Sequence, residues 1–121
     1  MLVAYLTVDE VNQDMAVRLA SRCNVTVHPV SFRELPLKKM FDALVYDLDS
    51  FPDSEREEIL TKLLNSLALY PVAVHSYCLA GRQAQRLRQN GVVVRRRLTE
   101  ATFLGLKPGR AEVGRLLSAG A

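Results

Sequence analysis

Cysteine is scarce in this chain. Cys23 and Cys78 are the only two, and they stand 55 residues apart, without the paired-cysteine spacing of a metal site. That excludes a disulfide framework and a sequence-encoded zinc site, and leaves a reduced, cytoplasmic setting as the expectation. Long apolar runs are missing as well; none approaches the roughly 20 residues that a membrane helix needs. No basic segment precedes the first apolar run, so that run is expected to be a strand and not a signal peptide. Low-complexity tracts and internal repeats are absent. Acidic residues run short after residue 58: residues 59–121 hold 10 Lys/Arg against 2 Asp/Glu, whereas residues 1–58 hold 6 against 11. Any acidic site must be built from the first half.

What is present is the material of one ordinary domain spanning residues 1–121. The 121 residues are 49% hydrophobic and 24% charged, enough to bury a single core. Leu2-Val-Ala-Tyr-Leu-Thr-Val8 is an apolar run that reads as a first buried strand, with Asp9 and Glu10 directly behind it. Met15, Leu19 and Cys23 then recur at helical spacing, predicting a helix over residues 12–22. Residues 25–30 alternate and are β-branched, and Pro29 among them argues for an edge strand. Ser31 and Glu34 have capping-box spacing, which predicts a short helix over residues 32–40.

The stretch Asp42-Ala-Leu-Val-Tyr-Asp-Leu-Asp-Ser-Phe-Pro52 organises the rest. Its apolar run reads as a strand buried on both faces, and Asp47 and Asp49 emerge where that strand ends. Ser54 and Glu57 again have capping-box spacing, opening a predicted helix that runs to about residue 68 on Ile59, Leu60, Leu63, Leu64 and Leu67. Residues 70–76 form a fourth strand. A strongly basic helix over residues 80–90 stops at Gly91, and Val92 to Val94 form a fifth strand that runs into Arg95, Arg96 and Arg97. Residues 99–121 read as a C-terminal helical segment, with a turn over 99–106, a break at Lys107-Pro108 and a last helix over 110–119. Five strands alternating with helices predict an α/β fold with a parallel, doubly wound sheet. Right-handed crossovers place every strand's carboxyl end on one rim, where ligand chemistry collects in such sheets.

Asp9-Glu10 after strand one, Asp47 after strand three and Ser76 after strand four share that rim. In this arrangement the sequence resembles the receiver domain of two-component response regulators over roughly residues 2–98. Asp42-Ala-Leu-Val-Tyr-Asp47 resembles the family's third-strand pattern, and Pro71-Val-Ala-Val-His-Ser76 its fourth. The resemblance implies a flavodoxin-like three-layer sandwich with strand order 2-1-3-4-5. It also implies a signalling role through protein–protein contact, with a histidine kinase or a downstream signalling protein as partner. Asp47 would be the phosphoacceptor, Ser76 the switch hydroxyl, and Asp9, Glu10 and Asp47 ligands to Mg²⁺. The chemistry fits those residue types, because a carboxylate attacking a phosphoryl group needs a divalent cation to neutralise and bridge the oxygens.

The pattern departs from the family in two places. Pro52 stands five residues after Asp47, where the family has four. The fifth strand ends in Arg95-Arg-Arg97 without the family's Lys, and a planar guanidinium does not replace an ammonium on a flexible stem. These departures describe a pseudo-receiver, an interaction module that works without phosphorylation. A third reading treats Leu44-Val-Tyr-Asp-Leu-Asp49 as the opening motif of a haloacid-dehalogenase-like phosphohydrolase using Asp47 and Asp49. That family needs a further acidic pair downstream, and Glu100 and Glu112 are not paired. The chain is therefore expected to be no enzyme beyond phosphoacceptor chemistry on Asp47. Arg82, Arg86, Arg88, Arg95, Arg96 and Arg97 form the densest basic cluster, expected to be either a solvated face or a contact surface for an acidic protein. Nucleic acid is disfavoured, since no aromatic residue interleaves the arginines. A homodimer is left open.

Overall fold

The computed structural model describes residues 1–30 and 41–106. The helix expected over residues 32–40, the Lys107-Pro108 break and the last predicted helix lie outside the described residues. Five strands, β1 (Leu2–Leu6), β2 (Thr26–Val30), β3 (Ala43–Asp47), β4 (Val72–His75) and β5 (Val93–Arg95), form one sheet in the order β2-β1-β3-β4-β5. Every pairing is parallel. Four helices accompany them: α1 (Glu10–Ser21), α2 (Arg56–Ser66), α3 (Gly81–Gln89) and α4 (Glu100–Leu104). This is the expected α/β architecture with flavodoxin-like strand order.

The alternation of side chains along each strand makes the three layers. Ala4 and Leu6 of β1, Leu44 and Tyr46 of β3 and Val72 and Val74 of β4 pack with Ile59, Leu60 and Leu63 of α2 and Leu87 of α3. The intervening residues, Val3, Tyr5, Ala43, Val45 and Ala73, pack on the opposite face with Ala16 and Ala20 of α1 and Phe103 of α4. Small residues dominate that second face, which lets α1 and α4 lie close to the sheet. Both faces of β3 are covered, so all five of its residues are buried, as an unbroken apolar run requires. Pro29 falls on β2, an edge strand that pairs only with β1, where the missing amide hydrogen is tolerated.

Local signals mark most boundaries. Asp9 caps α1, accepting from the Val11 and Asn12 amides. Thr99 and Thr102 form a reciprocal capping box on α4. Gly91 follows α3 with φ of +87°, a conformation in which a side chain would be strained. One expectation is corrected. Ser54 does not cap a helix, because a 3-10 turn over Asp53–Glu55 follows Pro52 and α2 begins only at Arg56, without a side-chain cap. Pro52 disfavours helical backbone at the residue before it, and Phe51 is accordingly extended with ψ of 146°, so the chain enters the helix only after a short 3-10 turn. Asp42 lies at the amino end of β3. Its carboxylate accepts from the Leu2 amide at 2.7 Å while its own amide donates to the Leu2 carbonyl at 2.8 Å, so it fastens β3 to β1.

Candidate functional site

The carboxyl ends of β1, β3 and β4 carry polar groups where the strands below them are apolar. Ala43, Val45 and Asp47 project to the α1 and α4 face, and so do Ala73 and His75, because side chains two apart in a strand share a face. The register sets Asp47 directly opposite His75. Two titratable groups thus meet inside one packed layer.

Asp47 is 1% exposed. Its Oδ2 accepts from Thr7 Oγ1 at 2.8 Å and from Asn12 Nδ2 at 2.7 Å. Its Oδ1 lies 3.8 Å from His75 Nδ1, too far for a hydrogen bond but close enough for charge to matter. On the other side of the ring, His75 Nε2 is 2.6 Å from the Tyr5 hydroxyl, and the two ring planes are within 8° of parallel. Burial, and then the carboxylates of Asp47 and Asp9, push the Tyr5 phenol well above its ordinary range. It stays protonated, and because the Asp47 carboxylate faces Nδ1 and favours a proton there, we assign the Tyr5 hydroxyl as the donor to Nε2. Burial holds His75 below its ordinary value of 6.5 against the opposing pull of Asp47 and Asp49. The ring is therefore neutral, with its proton on Nδ1 facing Asp47. Tyr5, His75, Asp47, Thr7 and Asn12 form one buried polar chain across three strands and the first turn of α1.

Asp49 makes a second cluster. It sits in a 3-10 turn over Leu48–Ser50, where Oδ1 accepts from Ser76 Oγ at 2.5 Å and Oδ2 from the Tyr77 amide at 2.6 Å. Arg56 approaches Oδ1 to 4.0 Å. Ser76 has the opposite parity to His75 along the strand direction, which is why its hydroxyl meets Asp49 and leaves His75 beside Asp47. Ser50 completes the link to β1, accepting from the Val8 amide and donating to the Asp47 carbonyl.

The other sequence-derived residues fall as follows. Asp9 spends its Oδ1 on the amides of Val11 and Asn12, at 2.9 and 3.3 Å. Glu10 opens α1 and is exposed. Among the described residues no group of three or more His, Cys, Asp and Glu side chains is disposed to hold a metal ion. Two hydrogen-bond donors meet the Asp47 carboxylate, the Thr7 hydroxyl and the Asn12 amide NH₂, both on Oδ2. Mg²⁺ calls for oxygen acceptors in near-octahedral array, and this donor set does not fit it. Arg82, Arg86 and Arg88 are exposed on α3, whose buried positions are Ala84 and Leu87. Arg95 ends β5, Arg96 and Arg97 follow it, and all three are exposed. Among the described residues none of the six arginines forms an ion pair.

Between the first turns of α1 and the segment after β5, the rim forms an open cleft of about 370 Å³. The buried Asp47 and His75 lie at its inner end, and Asn12, Arg96 and Arg97 also line it. Four members of the polar chain are absent from the sequence-derived set: Tyr5, Thr7, Asn12 and His75. Thr7 and His75 had a signal, since each is the polar residue that ends an apolar strand, level with Asp47 in a parallel sheet. Tyr5 and Asn12 had none, because their roles depend on distances across the sheet.

No protein-family model matches the chain, and no curated protein matches it significantly.

Proposed function

We propose that the chain is a receiver-like interaction module that signals by protein–protein contact without phosphorylation of Asp47. The observation that carries this reading is the state of the Asp47 carboxylate. It lies at 1% exposure with Oδ2 taken by two donors. A phosphoacceptor works beside a cation site, and Asp9, which the resemblance would assign to that site, has its Oδ1 engaged in capping α1.

The contact surface in this reading is the face formed by α3 and the end of β5. Among the described residues these six exposed arginines form no ion pair, and their positive charge favours an acidic protein partner and speeds encounter with it. The setting that suits the module is cytoplasmic: both cysteines are free, and no helix among the described residues is long and apolar enough to cross a membrane.

The test uses a fluorescein-labelled acidic peptide as a probe of the basic face. Binding should be saturable and salt-dependent, and the charge reversals Arg82→Glu and Arg86→Glu together should weaken it by about tenfold or more. Prior treatment with acetyl phosphate and Mg²⁺ should leave binding unchanged. Affinity that rises after that treatment, and only when Asp47 is intact, would refute the phosphorylation-independent reading.

A further inference from the structure

We infer that the rim cleft is a binding site for a small organic monoanion with an aromatic or branched apolar body. The cleft opens at the carboxyl edge of a parallel sheet, beside the point where the chain's course reverses between β1 and β3. Ligands bind at such crevices for a topological reason: the connections on either side leave in opposite directions and part the loops. Its volume of about 370 Å³ lies within the range of small-molecule sites and is far larger than an inorganic anion needs.

The lining divides by availability. Three of the four carboxylate oxygens already accept hydrogen bonds, and the fourth, Asp47 Oδ1, lies 3.8 Å from His75 Nδ1. Asp47 Oδ2 accepts from Thr7 and Asn12, and Asp49 accepts from Ser76 and Tyr77. Arg96 and Arg97 have no ion-pair partner among the described residues, so the charge on offer to a ligand is positive. Guanidinium forks match a carboxylate in two-point geometry. The carboxylates at the inner end, together with a neutral His75, repel a ligand that is anionic throughout. Its charged group must sit outward, against Arg96 and Arg97. The remaining lining is Met15, Leu98 and the ring of Tyr77, with the Arg97 guanidinium 5.8 Å from the ring centroid. Met15 is 36% and Tyr77 62% exposed, a large area of apolar surface to leave in water at a concave site. An aromatic or branched body covers it, and a bare phosphate does not.

The test follows the amide and methionine methyl resonances of the full chain during titration with phenylacetate, cinnamate and isovalerate. Acetate, inorganic phosphate and the neutral phenylacetamide serve as comparisons. At least one of the three bulky acids should give saturable shifts confined to Met15, Tyr77, Arg96, Arg97 and their neighbours. Arg96→Ala with Arg97→Ala should weaken that binding about tenfold or more at unchanged thermal midpoint, while Arg82→Ala with Arg88→Ala should not alter it. The inference is overturned if none of the bulky acids gives saturable shifts up to about 10 mM, a few kcal/mol of affinity being the least that a specific site provides. It is equally overturned if acetate, phosphate or phenylacetamide binds as tightly as the bulky acids, or if the Arg96/Arg97 double variant binds like the parent chain.

Discussion

Asp47 and His75 stand opposite each other in the parallel register of β3 and β4, with Oδ1 and Nδ1 3.8 Å apart and both residues buried. A buried carboxylate is expensive unless donors meet it, and here they come from Thr7, just after β1, and Asn12 of α1. The carboxylate is the joint at which those elements meet.

Removing it should therefore cost stability. Asp47→Ala leaves Thr7 Oγ1 and Asn12 Nδ2 without their acceptor in a site that water reaches poorly. We expect a loss of about 2–3 kcal/mol, the usual scale for hydrogen bonds to a charged group. Urea unfolding of the two proteins measures it. A loss no larger than that of a surface substitution such as Asp53→Ala would mean that the network does not hold the rim together.

Stability should also fall on the acid side through His75. Its folded-state value lies below the ordinary 6.5, so the unfolded chain binds the extra proton first. The contribution of the neutral ring is fully present above 6.5 and declines as pH falls below that value, until the pH passes the lower folded value. The slope approaches about 1.4 kcal/mol per pH unit in that window. Other acidic groups titrate below it, so the informative quantity is the difference between the parent and His75→Phe. That difference should be steady above pH 6.5 and shrink as the pH drops below it.

Burial holds His75 neutral, and the Tyr5 hydroxyl, 2.6 Å from Nε2, is placed to donate to the neutral ring. Tyr5→Phe deletes the donor and leaves the ring nitrogen as a buried acceptor without a partner. We expect a cost of about 1–2 kcal/mol. The same change removes a bond made only to the neutral ring, so the His75 titration, followed by its ring resonances, should move upward. A stability loss with an unmoved titration would assign Tyr5 a packing role alone.

The sequence carried the architecture because its signals were local. Apolar runs bounded by Asp, Pro and Gly placed the five strands, Pro29 marked β2 as an edge, and Gly91 ended α3. Ser54 misled for an equally local reason: it lies in a separate 3-10 turn between Pro52 and the helix, and capping-box spacing cannot register that. The rim was legible only in part. Asp47 and Ser76 were visible as polar residues at strand ends, yet their pairing was not. Parity sends Ser76 to Asp49 and His75 to Asp47, and that depends on register between strands far apart in sequence. Asp9 could be read as either a metal ligand or a helix cap, and its Oδ1 does cap α1 through the Val11 and Asn12 amides.

The most direct test of the central claim is a titration of the chain with Mg²⁺ and then beryllofluoride, observed through backbone amide resonances. A carboxylate buried and held by Thr7 and Asn12 predicts no saturable change at residues 7, 12, 47, 49 and 76 at millimolar metal, and no adduct with the fluoride. A beryllofluoride adduct that shifts those residues, requires Mg²⁺ and disappears in Asp47→Asn would contradict it.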